Sequence, residues 1–129
     1  MTGPGLIGGP PGPALPFRPA QRLRRPGEFQ AAFKGRRFGN AWLSASAIPN
    51  STGQARLGLA IAARTVGNAV HRNRLRRRIR ESFRLRQHQF PAVDIVVGAR
   101  NAARNAAPAE LNVALSKLWD QVIAQCARC

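Results

Sequence analysis

Hydrophobic positions change their spacing several times along the chain, and the first pattern is helical. Glu28 follows a Pro-Gly pair, and an acid in the first helical turn offsets the positive end of the helix dipole. Phe29 and Phe33 then lie four residues apart, on one helical face. Gly35 is a natural helix stop. The pattern predicts a short first helix that ends before Gly35.

A spacing of two follows, which is typical of strands. Between Phe38 and Pro49, one set of positions (Trp42, Ser44, Ser46, Ile48) alternates with another (Leu43, Ala45, Ala47), and a second alternating run extends from Arg56 to Ala62. The polar turn between them predicts that the two strands form an antiparallel hairpin. Gly58, Ala60 and Ala62 share one face of the second strand. This smooth face predicts that a helix or a ligand lies close to it.

A longer helix is predicted from about Asn68 to Arg86. Leu75, Ile79 and Phe83 form a narrow stripe on it, which must be buried. Nine arginines lie between Arg64 and Arg86, against a single acid. Like charges spaced four residues apart destabilise an isolated helix, so this surface is expected to face a polyanion.

The last part of the chain predicts a strand and a helix. The apolar run from Asp94 to Ala99 is typical of a strand buried on both faces. A loop from Arg100 to Ala107 follows, and Pro108 suits the first turn of a helix. The core positions predicted on that helix are Leu111, Leu115, Leu118, Trp119, Val122 and Ile123. The order of helix, two or three strands, helix, strand and helix predicts an α/β two-layer domain.

The charge balance narrows the class of partner. Across 129 residues, 21 Lys and Arg oppose five Asp and Glu, which gives a formal net charge of +16. Such a chain repels itself and favours a polyanion, with nucleic acid first and an anionic membrane surface as the alternative. All basic residues except Lys34 and Lys117 are arginine, whose planar guanidinium suits bidentate phosphate contacts.

Length and local composition predict one domain with two tails. We expect a disordered Gly/Pro-rich extension over residues 1–22, a folded domain over 23–124 and a flexible tail over 125–129. Neither a membrane-spanning run nor a signal peptide is predicted, so a cytoplasmic location is expected. Cys126 and Cys129 form a single CxxC in an expected exposed tail, too few ligands for a structural zinc site.

The sequence predicts no catalytic site in the protein. Its acids are Glu28, Glu81, Asp94, Glu110 and Asp120, scattered without paired spacing. His71 and His88 have no evident carboxylate partner and are expected at the surface. A protein nuclease acting alone would need such groups gathered around a metal or a nucleophile. We therefore predict no catalytic residues and no metal held by the protein alone.

The most specific signal is the run RTVGNAVHRNRLRRRIRE, from Arg64 to Glu81. Gly67 can adopt backbone angles closed to other residues, which permits a sharp entry into the helix. Arg72, Asn73 and Arg74 then lie in its first turns. Unpaired backbone N–H groups and the helix dipole also favour phosphate there.

This run closely resembles the RNR motif of the bacterial ribonuclease P protein subunit family. The segments EFQAAF, RLGLAIA and DIVVGAR resemble segments of that family in the same order, so the resemblance covers roughly Leu23 to Trp119. The chain departs from the family pattern at Ala63 and Thr65, where Ser and Lys are usual. It also departs at Asn101, where proline is frequent. The RNR core is unaffected.

The resemblance implies an α+β fold similar to some ribosomal proteins. This is a two-layer α/β sandwich in the order α-β-β-β-α-β-α, with a small four-stranded sheet and a left-handed crossover through the RNR helix. The implied catalyst is an RNA subunit with Mg²⁺ bound mainly by RNA, and the implied partners are that RNA and precursor tRNA, whose 5′ leader is removed. The implied RNA-binding residues are Arg64, Asn68, Arg72, Asn73, Arg74, Arg76, Arg77 and Arg80. A leader-binding cleft between first helix and sheet would be lined by Phe29, Phe33 and Trp42.

Two alternative functions stay open on the sequence. A ribosomal or other structural RNA-binding protein would share the charge and much of the fold without a role in cleavage. A membrane-active cationic protein would need a broad apolar helical face, which the narrow stripe disfavours. For Phe29 and Phe33, packing between helix and sheet explains the aromatic side chains as well as stacking on bases does.

Overall fold

The computed structural model describes residues 21–62 and 67–126 and shows the predicted order α-β-β-β-α-β-α. Short 3₁₀ turns at Gln87–Gln89 and Asn101–Asn105 flank the fourth strand, the second of them inside the predicted loop. The elements are α1 (Pro26–Phe33), β1 (Arg36–Gly39), β2 (Leu43–Pro49), β3 (Arg56–Ala60), α2 (Ala69–Arg86), β4 (Val93–Ala99) and α3 (Pro108–Cys126).

The four strands form one mixed sheet in the order β1-β2-β4-β3. β2 pairs antiparallel with β1 and β4, whereas β3 pairs parallel with β4. The predicted hairpin between β2 and β3 is therefore wrong, because β4 lies between them. Buried residues from Val93 to Val97 explain this position, since an apolar strand gains most from a place inside the sheet. The left-handed sense of the β3–α2–β4 crossover stays a prediction.

The main core fills the space between one face of the sheet and helices α2 and α3. The predicted stripe of α2 is buried, and so are five of the six predicted core positions of α3, with Ile123 partly buried. Three aromatic rings meet at its centre: Phe83 stacks on Phe90 at 5.1 Å, and Trp119 meets Phe90 edge-on at 5.5 Å between ring centres. The Trp119 indole N–H donates to Ser82 Oγ at 2.8 Å, so this polar group is satisfied.

Helix α3 extends beyond residue 124, where the folded domain was expected to end. It continues to Cys126, which is only 3% exposed and belongs to the main core. The assignment of Gln125 and Cys126 to a flexible tail is therefore wrong, because both belong to the helix, and the expected exposure is wrong for Cys126, which extends the apolar stripe. Cys129 lies outside the described residues, as do residues 1–20 of the extension predicted over 1–22. The prediction of disorder is wrong for the last two residues of that extension, because Gln21 is buried and Arg22 forms a β-bridge with Leu57.

Helix α1 covers part of the opposite face of the sheet. Leu23, Ala32 and Val96 form a small buried cluster there, with Phe29 packed against it. A Cβ placed on Gly58 would lie 2.7 Å from the Phe29 ring. The close approach predicted at the small residues of β3 is thus made by a helix at this position.

An ion-pair network fixes the start of α1 to the sheet. Arg56 on β3 binds the Glu28 carboxylate at 2.8 Å and the Asp94 carboxylate through two bonds of 2.7 Å. Asn50 Nδ2 donates to Asp94 Oδ1 at 2.7 Å, the oxygen that also accepts from Arg56 Nε. The hydrogen bonds that Arg56 donates to Asp94 raise the pKa of the Arg56 guanidinium above its usual value, opposed in part by burial. The network therefore sets the position of α1 over the sheet.

Candidate nucleic-acid interface

Helix α2 begins where the glycine and asparagine of the motif turn the chain. Gly67 has φ +97°, in the left-handed region that favours glycine, as predicted. Asn68 is the N-cap, and its Oδ1 accepts a hydrogen bond from the His71 backbone N–H at 3.1 Å. Asn68, predicted to bind RNA, thus uses its side-chain oxygen to cap the helix.

The predicted RNA-binding residues divide between two sides of α2. Asn73, Arg76 and Arg80 line one groove, Arg74 lines another, and Arg77 lies on the ridge and lines both. The half-buried Arg72 lines neither. Arg64 lies outside the described residues.

The first groove, here called the arginine groove, has a volume of about 380 Å³. It adds two arginines to the predicted set. Arg84 continues the row of Arg76 and Arg80 by one more turn, so helical spacing alone could have found it. Arg22 comes from the segment before α1 and carried no sequence signal. The lining residues are Arg22, Asn73, Arg76, Arg77, Arg80, Glu81 and Arg84.

The electrostatics of the arginine groove favour an anion. Burial, and then the charges of Arg22 and Arg76, lower the pKa of the Arg80 guanidinium. The one acid of the groove, Glu81, binds Arg84 through an ion pair, and this hydrogen bond lowers the pKa of the Glu81 carboxyl. Its negative charge is therefore already engaged by one of the arginines.

Arg76 also has an unmet hydrogen-bonding group. Its Nε is buried and, among side-chain nitrogen and oxygen atoms in residues 21–62 and 67–126, is the one buried atom without a partner. Burying a donor without a partner costs about 1–3 kcal/mol. A small rotation of this side chain toward a bound phosphate would remove that cost.

A second groove, here called the α2–α3 groove, lies on the other side of α2. It has a volume of about 980 Å³ and is bounded by α2, the Asn101–Asn105 turn and the start of α3. Arginines and His71 line it together with apolar side chains such as Leu85 and Leu111. Both histidines of the chain, His71 and His88, are exposed as predicted.

The predicted cleft residues occupy different environments. Phe29 is half-buried over Gly58, so packing between helix and sheet accounts for it. Phe33 is 42% exposed and remains open to a ligand. Trp42 is partly buried against the main core, at the turn between β1 and β2, and does not join the Phe29 cluster.

A row of small residues crosses the sheet on the face that carries α1. Ser44, Gly98 and Ala60 are paired neighbours on β2, β4 and β3. Ala60 lies two residues beyond Gly58 and therefore on the same face, and it is exposed. The row makes a smooth floor beside α1, next to its aromatic residues.

The carboxylates of the protein serve its own fold. Glu28 and Asp94 bind Arg56, Glu81 binds Arg84, and Asp120 binds Arg86 at 2.6 Å. Glu110 accepts a hydrogen bond from the Ala107 backbone N–H at 2.9 Å, at the start of α3. In the described part of the chain, no three His, Cys, Asp or Glu side chains gather where they could hold a metal ion.

The apolar residues on which a membrane-active function would depend are buried inside the protein. The apolar stripe of α2 lies in the main core, so it is not available to a bilayer. Over residues 21–62 and 67–126, no helix combines the length and the apolar character needed to span a membrane.

Comparison with known proteins agrees with the sequence resemblance. The ribonuclease P family model matches residues 17–123. A ribonuclease P protein component from Methylococcus capsulatus is 44% identical over 110 residues, which cover 84% of this chain and 86% of that protein.

Solved structures show the same fold. The RNase P protein of Staphylococcus aureus superposes with a TM-score of 0.74 at 28% identity, covering 78% of this chain and 93% of that one. The RNase P protein of Thermotoga maritima gives a TM-score of 0.70 at 28% identity, covering 78% and 96%. The chain therefore belongs to the ribonuclease P protein component family.

Proposed function

We propose that this chain binds the catalytic RNA of ribonuclease P through α2 and promotes endonucleolytic removal of the 5′ leader from precursor tRNA. The arginine groove carries the proposal. Arg22, Arg76 and Arg80 converge there with two further arginines, and the single acid is engaged by Arg84. Phosphate is the ligand that this charge density and guanidinium geometry suit best.

The leader of precursor tRNA would lie in the cleft beside α1. The row of Ser44, Gly98 and Ala60 offers a floor on which an extended strand can lie close to the sheet. Phe33 is exposed enough to stack on a base, which contributes about 1–3 kcal/mol in single-strand binding. Phe29 would support this surface beside Phe33, whereas Trp42 packs against the main core and would contribute only at the turn between β1 and β2.

The chemistry would be carried by the RNA subunit with Mg²⁺ held mainly by RNA and substrate. This assignment is supported by the five carboxylates, all of which are engaged by arginines or by a helix start. The protein would contribute orientation and neutralise phosphates, so that magnesium binds the complex at lower concentration. We place this activity in the cytoplasm.

The test is cleavage of precursor tRNA by the cognate RNA at low magnesium, with and without the protein. We expect wild type to restore leader removal. An Arg76→Ala, Arg80→Ala double variant should require about a hundredfold more protein, since hydrogen bonds to charged groups contribute about 1.5–3 kcal/mol each and two are lost. The matched control, Arg36→Ala with Lys117→Ala, removes two charges at exposed positions outside both grooves.

The outcomes separate the cofactor function from a structural role. If wild type gives no stimulation with the cognate RNA, the cofactor function fails and a structural RNA-binding role becomes the better interpretation. If the control pair is as impaired as the groove pair, stimulation depends on net charge alone and the groove assignment fails.

A further inference from the structure

The α2–α3 groove is built differently from the arginine groove. Its lining positions on α2 run from His71 to Leu85, a distance of about 21 Å along the helix. Its volume of about 980 Å³ lies at the upper end of the roughly 300–1,000 Å³ typical of ligand sites. The groove is therefore long enough for a short chain segment rather than for a single phosphate.

One end of this groove is cationic. Arg74 and Arg78 project from α2, and Arg104 reaches in from the turn that follows β4. A Cβ placed on Gly67 would lie 3.5 Å from the Arg104 Nε, so this side chain lies against the start of α2. Arg78 is oriented by a bond of 3.2 Å from its Nη1 to Asn112 Oδ1 on α3. Two separate segments thus supply the positive charge. Glu81 also lines this groove, and its carboxylate is engaged by Arg84.

Apolar side chains also line the groove. Leu85 lies at the far end of the lining on α2 and is 55% exposed, so a ligand can reach it. Pro108 and Leu111, from the start of α3, line the groove closer to Arg78, which bonds Asn112. The arginine groove, in contrast, is lined by charged and amide side chains throughout. A ligand that suits the α2–α3 groove has anionic groups and a flat apolar part, as an unpaired nucleotide does.

We propose that the α2–α3 groove holds a short unpaired segment of the catalytic RNA. Its phosphates would contact Arg74 and Arg104, and a base would lie against Leu85. That this RNA is the catalytic RNA rests on the proposed function, because the α2–α3 groove and the arginine groove lie on the two sides of the same helix, α2. The leader cleft lies on the opposite face of the sheet, with α1, so a leader strand held there is separated from this groove by the sheet.

The first experiment uses a model RNA and does not depend on ribonuclease P. The full chain is titrated with a fluorescent RNA hairpin carrying a three-nucleotide bulge and with the same hairpin without the bulge. We expect wild type to prefer the bulged hairpin about fivefold and Leu85→Ala to lose that preference, because the truncated methyl groups no longer contact the base. The matched control is Val113→Ala, since Val113 is an equally exposed apolar residue of α3 outside the groove.

Arg104→Ala gives an independent readout. It should weaken binding of the bulged hairpin and reduce the slope of log K against log salt by about 0.7–0.9, the value of one phosphate contact. Leu85→Ala should leave that slope unchanged, because leucine releases no counterions. Circular dichroism should show wild-type folding for both variants, as both side chains are exposed.

With the model hairpins, two results would overturn the proposal: equal binding of the two hairpins by wild type, or a preference that survives in Leu85→Ala. With the ribonuclease P RNA, Leu85→Ala should weaken assembly of the complex and leave the dependence on leader length unchanged. A change in leader dependence instead would assign the groove to the substrate and refute the proposal. If wild type selects the bulge but does not stimulate cleavage, the proposed function alone fails.

Discussion

At the scale of single residues, Gly35 fits a position where no side chain has room. A Cβ there would lie 2.1 Å from the Ala47 carbonyl oxygen of β2. Gly35→Ala must therefore push the junction of α1 and β1 away from the sheet, and we expect a loss of about 1–3 kcal/mol in the free energy of unfolding. Urea denaturation followed by circular dichroism measures this loss.

Gly27 is the matched control for that substitution. It lies in the first turn of α1, and nothing approaches within 4 Å of a Cβ placed on it. Gly27→Ala should be neutral or stabilise the protein by up to about 1 kcal/mol, because alanine is the better helix former. Equal effects of the two substitutions would show that the contact with Ala47 is relaxed in solution.

At the scale of elements, the attachment of α1 depends on the ionisation of Glu28. Hydrogen bonds from the backbone N–H groups of Arg25 and Arg24 lower the pKa of this carboxyl below 4.5, and Arg56 adds to the effect. A lowered pKa in the folded state means that the charged carboxylate stabilises the fold above the unfolded pKa. This contribution is lost as the pH falls through the folded pKa.

Glu28→Gln should therefore lower the free energy of unfolding at pH 7 by about 1 kcal/mol, a typical contribution of a helix cap. The difference from wild type should shrink toward pH 3, as wild type loses the same charge. Urea denaturation at both pH values measures it. Asp120→Asn is the comparison: Asp120 is 63% exposed, and exposed ion pairs contribute about 0–1 kcal/mol. A difference that grows toward low pH would contradict the role assigned to Glu28.

The sequence predicted best those elements whose apolar residues are spaced so that the spacing itself shows which side of the element is buried. The stripe of Leu75, Ile79 and Phe83 located α2, and the continuous apolar run of β4 indicated a strand buried on both faces. Strand pairing was not predictable in the same way. The alternation in β2 and β3 indicates which residues face the core, but not which strand lies beside each of them. The position of β4 between these two strands could therefore not be predicted.

The same limit applies to the binding surface. The motif located the arginines of α2 because they are contiguous in sequence. Arg22 and Arg104 join them only through the fold: one precedes α1, and the other follows β4. Their place at the two sides of α2 depends on how the chain crosses the sheet, which local spacing does not encode.

At the scale of the whole molecule, α2 presents positive charge to both sides while the acids of the protein are engaged internally. The net charge of +16 is therefore relieved only by an outside polyanion. Binding such a partner also stabilises the fold by mass action, since the folded state alone forms the grooves. The two grooves share the lining residues Arg77 and Glu81, so a single RNA that wraps α2 would contact both.

Simultaneous contact makes a quantitative prediction for the complex with the catalytic RNA. Arg76→Ala, Arg80→Ala and Arg104→Ala remove charges from both grooves, and well-separated sites without shared partners contribute additively to free energy. The triple variant should therefore weaken binding by the product of the fold-changes of the double and the single variant. Its slope of log K against log salt should fall by about 2–2.7, the sum of three phosphate contacts. If the RNA occupied one groove at a time, the double variant would shift binding to the other groove. The loss in the triple variant would then exceed that product, which would contradict one RNA held on both sides of α2.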